Sequence, residues 1–188
     1  MPFNILVTTC ACSSQCLRYH PKKGLSITID AEENEHVVFF EIDDKSNTIS
    51  HFREHFGMTG KGEKICDLLI YYFAETKKTE VRKKPKILCL AESKGLPIDE
   101  AIEQIENTYN RIKGTKFLET DAKKYCNPII WCAYIVSDRL GGASHSLKPK
   151  EAREKLGKIF GTKYCDVTKN EDIGIFLREC SFSSTHKK

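Results

Sequence analysis

Long apolar runs are missing from this sequence. The longest, residues 129–136, falls well short of the ~18 residues that a membrane-spanning helix needs. The opening residues, MPFNILVTTC, also lack the charged region and the longer apolar core of a secretory signal. These absences argue against membrane-spanning and secreted proteins. They predict a cytoplasmic protein with no membrane partner.

A strong excess of one charge is missing as well. Thirty Lys and Arg residues stand against 26 Asp and Glu residues, so the formal net charge is +4. This mild excess is compatible with a nucleic-acid partner but does not indicate one by itself. The chain has 188 residues, 40% hydrophobic and 30% charged, which is typical of a single globular domain with a buried core.

Cysteine, in contrast, is abundant, with nine residues. Because we expect a reducing compartment, we predict that all nine are thiols. Cys10, Cys12 and Cys16 form a C-x-C-x3-C cluster in an N-terminal segment, residues 1–24, that is predicted to be irregular. Two interpretations stay open: reduced thiols, or a metal or iron–sulfur site. A fourth ligand for such a site could come from His20, His51, His55 or a distant cysteine.

Hydrophobic periodicity predicts an α/β or α+β fold, a central mixed sheet flanked by helices. Alternating apolar residues predict an opening hairpin of two strands, at 25–30 and 36–43. Apolar runs predict further strands at 65–73, 86–92, 129–136 and 172–177. Helical spacing predicts helices at 49–56, 96–113 and 149–160. Residues 181–188 are predicted to be a polar tail.

Two of the predicted buried strands carry acidic residues, which are costly to bury unless they are paired or bound to a metal. Asp67 interrupts ICDLLIYYF, and Glu92 and Lys94 end KILCLAESKG. Residues two apart in a strand face the same way, so we expect Glu92 and Lys94 to project together. Two neighbouring carboxylates form an oxygen site for Mg2+ or Mn2+, and the Ser93 carbonyl could add a ligand. A lysine beside them can position or help deprotonate a water.

These strands and the helix after them resemble the PD-(D/E)xK, or restriction-endonuclease-like, nuclease superfamily. The matching pieces are CD at 66–67, AESKG at 91–95 and the helix AIEQIENTYNRI, within roughly residues 25–140. More narrowly, they look like small bacterial members of this superfamily without assigned roles. The resemblance implies an α-β-β-β-α-β core, with the aspartate on its second strand and the glutamate and lysine on its third. Cys66 stands where the superfamily often has proline.

The resemblance also implies an activity, the hydrolysis of phosphodiester bonds with Mg2+ or Mn2+ as cofactor, in DNA before RNA. Asp67, Glu92 and Lys94 then correspond to the catalytic residues. Asp67, Glu92 and the Ser93 carbonyl correspond to the metal ligands. Glu54 is a further candidate ligand, because the superfamily often takes a second acid from the helix before the first motif strand, and Glu63 is the reserve.

Candidate nucleic-acid contacts follow from position. They are Gln104 on the helix after the third core strand, two lysines before the first motif strand, and an arginine after the 129–136 strand: Lys61, Lys64 and Arg139. Basic clusters at 77–84 and 148–158 could hold a phosphate backbone. Tyr109 lies in the apolar stripe of its helix and is predicted to be in the core. A homodimer is one expected assembly, by analogy with two-strand cutters on this fold.

Two other function classes stay open. In the first, the chain is a nucleic-acid-binding or scaffold protein on the same fold, and Asp67 and Glu92 are idle or structural. In the second, the chain is a small metal-binding protein whose functional element is the cysteine cluster. Metal titration separates these classes. Mg2+ or Mn2+ bound through Asp67 and Glu92 supports the nuclease, and zinc or iron retained through purification supports the cysteine-cluster protein.

Overall fold

The computed structural model describes residues 18–19, 26–43, 51–58, 60, 62–75, 85–94, 97–114, 129–137 and 147–183. In chain order its strands are β1 (Arg18–Tyr19), β2 (Ile27–Thr28), β3 (Glu35–Glu41), β4 (Leu68–Ala74), β5 (Lys86–Lys94), β6 (Ile129–Ser137) and β7 (Cys165–Thr168). Its helices are α1 (His51–His55), α2 (Ile98–Gly114), α3 (Pro149–Phe160) and α4 (Gly174–Ser183). A 3-10 turn at Thr162–Tyr164 joins α3 to β7.

A mixed sheet, in the order β3-β4-β5-β6-β7, forms the centre of the fold. The pairs β3–β4 and β4–β5 are antiparallel, whereas the pairs β5–β6 and β6–β7 are parallel. Parallel neighbours need a crossover, and α2 and α3 supply the two crossovers. The mixed sheet and its helices confirm the predicted α+β class. The narrower restriction-endonuclease-like description stays a prediction.

The side chains of the central strands alternate between two buried layers. On one face of the sheet, α1, α2 and α3 pack against residues that include Leu69 and Leu90. On the other face, α4 and β2 pack against residues that include Ile70 and Cys89. Because both faces of β4, β5 and β6 are covered, these strands have nearly continuous apolar sequences. The three predicted helices and the strands predicted at 36–43, 65–73, 86–92 and 129–136 are all found. The helix at 149–160 has the predicted bounds, and the other elements have shifted ends.

The predicted opening hairpin is wrong. The strand near residue 27 has two residues and pairs with β1, inside the segment that was predicted to be irregular, whereas β3 pairs with β4. The Thr28 N–H donates to the Glu171 carbonyl at 2.8 Å, and the Ile173 N–H donates to the Thr28 carbonyl at 2.9 Å. The partners of this segment therefore come from residues far along the chain, and local alternation could not reveal them.

The strand predicted at 172–177 is also wrong, because α4 begins at Gly174. The Asp172 carboxylate accepts the Gly174 N–H at 2.8 Å, as a residue just before a helix often does. Buried residues then recur at helical spacing, at Ile173, Phe176, Leu177 and Cys180. The helix continues to Ser183, so the predicted polar tail starts later than residue 181. Residues 184–188 lie outside the described part.

An ion pair between Glu35 and Arg178 joins the first strand of the sheet to α4. Arg178 Nε and Nη2 donate to the two carboxylate oxygens of Glu35, each at 2.8 Å, and the Tyr72 hydroxyl donates to the same carboxylate. Burial raises the pKa of Glu35, but the hydrogen bonds from Arg178 and Tyr72 outweigh it and lower the pKa to about 2. The carboxylate of Glu35 is 2% exposed, so solvent screens the pair little.

Replacing Glu35 by glutamine is expected to reduce the free energy of unfolding near neutral pH by about 2 to 3 kcal/mol. The pKa of Glu35 is lower in the folded protein, so its contribution is present above the unfolded pKa near 4.5 and is lost as pH falls towards about 2. Urea unfolding from pH 7 to pH 2 measures the difference between the proteins. Glu33→Gln, at an exposed neighbour, is the control. A constant difference across this pH range would contradict the assignment.

Candidate metal and catalytic centre

The start of β4 and the end of β5 lie side by side, where these two central strands end. The strands are antiparallel, and their register places Leu68 opposite Ala91. Asp67 directly precedes Leu68 and Glu92 directly follows Ala91, so the register brings the two acidic residues together. Leu69 and Leu90, two residues from Asp67 and Glu92, both pack in the layer that contains α2. The two acidic residues therefore share the α2 face of the sheet.

Hydrogen bonds in both directions link the two acidic residues. The Asp67 N–H donates to Glu92 Oε2 at 2.7 Å, and the Ser93 N–H donates to Asp67 Oδ2 at 3.2 Å. The Asp67 carbonyl also accepts the Ile42 N–H, at 3.0 Å, from the residue after β3. Each carboxylate is thus tied to the backbone of the opposite strand, and the positions of both are fixed before any ligand binds.

The pair is buried, which makes its charge the important feature. Glu92 is 0% exposed and Asp67 is 9% exposed. Two neighbouring carboxylates in a buried site disfavour each other's ionised form, unless a cation or a shared proton compensates. The neighbouring Cys66 thiol reports this environment. Burial raises the pKa of Cys66, and the carboxylates of Glu92 and Asp67 raise it further.

Helix α2 holds the backbone just before Asp67. Gln104 Nε2 donates to the Ile65 carbonyl at 3.0 Å, and the Cys66 N–H donates to Thr108 Oγ1 at 3.0 Å. The Thr108 hydroxyl donates in turn to the Gln104 carbonyl at 2.7 Å. Thr108 was not among the residues expected from the sequence. The feature of the sequence that could have indicated Thr108 is its position, since it is a polar residue one helical turn after Gln104 in an otherwise apolar stripe.

Gln104 itself lies elsewhere than expected. It was predicted to contact nucleic acid, but it is 7% exposed and its amide group is directed at the Ile65 carbonyl. This location favours a role within the protein. Tyr109 is partly buried beside Trp131 and Phe160, with ring centroids at 5.4 Å and 4.8 Å, so its predicted place in the core is confirmed.

The acidic residues proposed as further ligands lie apart from the pair. Glu54 is exposed on α1, and Glu63 forms an ion pair with Arg111 at 2.7 Å. Among the residues that the structure describes, no group of three or more His, Cys, Asp or Glu side chains could hold a metal ion. Within the described ranges, the carboxylates of the centre therefore come from Asp67 and Glu92.

The predicted basic residues are described only in part. Lys64 forms an ion pair with Glu103 at 2.9 Å, which offsets its charge. On α3, Arg153 pairs with Asp166 at 2.6 Å and Lys155 lies 3.4 Å from Asp99, at the start of α2. Several predicted positions lie outside the described part of the structure: Lys61, the Lys94 side chain, Arg139, the run at 77–84, His20 and the Cys10, Cys12 and Cys16 cluster.

Comparisons of this chain with protein-family models, with curated proteins and with solved structures found no match. The functional argument therefore rests on the geometry of the centre and on the resemblance of its sequence motifs. None of the helices in the described ranges is both long and apolar enough to cross a membrane.

The cysteines in the described ranges are all buried, free thiols, namely Cys66, Cys89, Cys132, Cys165 and Cys180. Burial raises the pKa of Cys165 to about 11 and raises the pKa of Cys132 further above its ordinary value. Because the thiolate is the reactive form, these thiols are expected to react slowly in the folded protein. This agrees with the prediction of reduced cysteines for the described residues.

Alkylation with iodoacetamide at pH 8 is expected to leave these five thiols unmodified in the native protein and to modify all of them in guanidinium chloride. Peptide mass spectrometry, without a reducing agent, identifies each site. Rapid native alkylation of Cys66 or Cys132, or a disulfide that includes one of the five, would contradict the burial described here.

Proposed function

We propose that this protein is a metal-dependent phosphodiesterase that acts on nucleic acid, DNA before RNA. The observation that carries the proposal is the buried Asp67–Glu92 pair, fixed across two strand ends by hydrogen bonds in both directions. A protein keeps two adjacent buried carboxylates at a cost in stability, and a bound cation offsets that cost.

The donor atoms suit a hard cation. Asp67 and Glu92 offer carboxylate oxygens, and Ser93, which is 6% exposed, could add its carbonyl oxygen. Mg2+ is usually held by one or two carboxylates and keeps several waters, so a pair without a third acidic residue is sufficient. A bound Mg2+ or Mn2+ would supply an activated water and would stabilise charge on the phosphate.

In this proposal each residue of the centre has a separate role. Asp67 and Glu92 hold the cation. Lys94 is the last residue of β5, two positions after Glu92, and its backbone lies opposite Ser137 of β6. In the proposed mechanism the Lys94 ammonium positions the attacking water and offsets charge on the phosphate. The order of the strands gives further support. In the series β3, β4, β5 and β6, Asp67 directly precedes the second strand and Glu92 lies on the third, which agrees with what the sequence resemblance implies.

One element departs from that resemblance. The helix α1 lies between β3 and β4, whereas the superfamily core has a helix before its first strand. The residues in front of β1 lie outside the described part, so the helix expected there has no counterpart in the described ranges. Cytoplasmic location, nucleic acid as the partner and a homodimer belong to this proposal as well.

A second function is favoured by a different reading of the same hydrogen bonds. Carboxylates that accept backbone N–H groups are also used to hold strand ends together. A binding or scaffold protein on this fold would keep Asp67 and Glu92 for that purpose and would not cleave its ligand. The cysteine-cluster class remains a third hypothesis, which retention of zinc or iron would support.

Asp67→Asn and Glu92→Gln each remove one carboxylate charge and keep the size of the side chain. Each is expected to weaken Mn2+ binding at least about 10-fold and to abolish cleavage, because the ligand charge is lost. Affinity for DNA should change little, since phosphate contacts come from basic residues. Calorimetric titration with Mn2+ and incubation with plasmid, linear and single-stranded DNA and with RNA measure both properties.

Glu106→Gln, an exposed position on α2, is the matched control for loss of one negative charge. Cleavage that survives in both carboxylate variants would assign the activity to another site or to a contaminant. Wild-type protein that binds nucleic acid without cutting it, with or without Mn2+, would favour the binding or scaffold function.

Lys94→Ala is expected to separate catalysis from metal binding. Removing a nearby positive charge should leave Mn2+ affinity equal or higher. The cleavage rate should fall on the order of 100-fold, as is usual when a proton-transfer or water-positioning group is removed. Single-turnover cleavage at saturating Mn2+ measures the rate. An unchanged rate would remove Lys94 from the proposed mechanism.

A further inference from the structure

A single peptide group, between Ile65 and Cys66, is held at both ends by side chains of α2. Its carbonyl accepts from Gln104 Nε2 at 3.0 Å, and its N–H donates to Thr108 Oγ1 at 3.0 Å. Ile65, Cys66 and Thr108 are each 0% exposed, so water does not compete for these bonds. Residues four apart on a helix lie on one face, which lets both side chains reach the same peptide group.

This peptide group directly precedes Asp67. The next N–H along the chain, that of Asp67, ends on Glu92 Oε2 at 2.7 Å. Two successive N–H groups are therefore bound by two different side chains, Thr108 of α2 and Glu92 of β5. The dihedral angles that remain between them are those of Cys66. The Asp67 carbonyl also accepts the Ile42 N–H at 3.0 Å, so the peptide planes on both sides of the Asp67 Cα are held, and they set the direction of its side chain.

The hydrogen bonds of Gln104 show that this arrangement is maintained at a cost. Its Oε1 atom is buried and has no hydrogen-bond partner among the residues that the structure describes. A buried amide oxygen without a partner disfavours the folded state, by an amount comparable to a lost hydrogen bond. An apolar side chain at this position would remove that unpaired oxygen but would leave the buried Ile65 carbonyl without its donor. The presence of the Gln104 amide is explained if the hydrogen bond from Nε2 to the Ile65 carbonyl does more than fill space in the core.

We propose that Thr108, assisted by Gln104, is a positioning residue for the metal centre and holds the Ile65–Cys66 peptide so that the Asp67 carboxylate stays beside Glu92. This inference rests on the proposed function, since it assigns these residues to the same centre. Neither side chain contacts the metal or the substrate. Their action passes through the backbone, in the way that groups behind a ligand orient that ligand.

The test compares three substitutions on one helix. Thr108→Val keeps the shape of the side chain and removes the oxygen that accepts the Cys66 N–H. Thr108→Ser keeps that oxygen. Ile105→Val removes a methylene from a fully buried neighbour and so lowers stability without touching the peptide group. Mn2+ affinity is measured by calorimetry, and thermal unfolding of the metal-free proteins reports stability.

Thr108→Val is expected to weaken Mn2+ binding about 10- to 100-fold, as outer positioning groups usually do. Thr108→Ser should restore wild-type affinity, and Ile105→Val should leave affinity unchanged although it unfolds at a lower temperature. Amide hydrogen exchange supplies a readout that needs no metal. In Thr108→Val the N–H groups of Cys66 and Asp67 should exchange faster, whereas the central residues of β6 stay protected.

Results that contradict the positioning role differ from results that contradict the proposed function. Wild-type affinity in Thr108→Val, together with an unfolding temperature lowered as in Ile105→Val, would reduce Thr108 to a structural residue and leave the proposed function standing. A wild-type protein that binds no Mn2+ would overturn the proposed function and, with it, the positioning role. If Thr108→Val does not fold, Gln104→Met, which removes the donor to Ile65, is expected to show the same loss of affinity, and wild-type affinity there would overturn the inference.

Discussion

The constraint on which the centre depends is the burial of two negative charges side by side. Asp67 and Glu92 are brought together by the antiparallel register of β4 and β5, and each carboxylate accepts a backbone N–H from the other strand. These bonds fix geometry without neutralising charge. Two carboxylates held this close in a buried site are the oxygen ligands that a hard divalent cation prefers.

The direction of the strands places this site where several strand ends meet. β5 is the strand at which the sheet changes from antiparallel to parallel pairing. At its carboxyl end it meets the start of β4 on one side and the end of β6 on the other, and α2 begins a few residues later. The start of β4, the end of β6 and the start of α2 therefore lie near the acidic pair in the described part of the chain. Lys155 of α3 lies 3.4 Å from Asp99, so an ion pair joins α3 to this end of α2.

The acidic pair could be predicted from the sequence because Asp67 interrupts a run of apolar residues and Glu92 ends another, and both patterns can be recognised without knowing the fold. The role of Thr108 could not be predicted from the sequence, because its partner, the Cys66 N–H, lies 42 residues away and is a backbone group. α4 was mistaken for a strand because six residues, 172–177, are too few to separate the two periods. The longer window from Ile173 to Cys180 has helical spacing.

The cover over the second face of the sheet has a consequence for how the protein folds. That face, beneath β4, β5 and β6, is closed by α4, and Arg178 of this helix binds Glu35, 143 residues earlier. Contacts of such sequence separation form late, because a large loop must close first. During synthesis on the ribosome, the apolar strands that carry Asp67 and Glu92 thus stay open on one side until α4 has emerged. The interval favours chaperone binding and makes premature termination before α4 a route to aggregation.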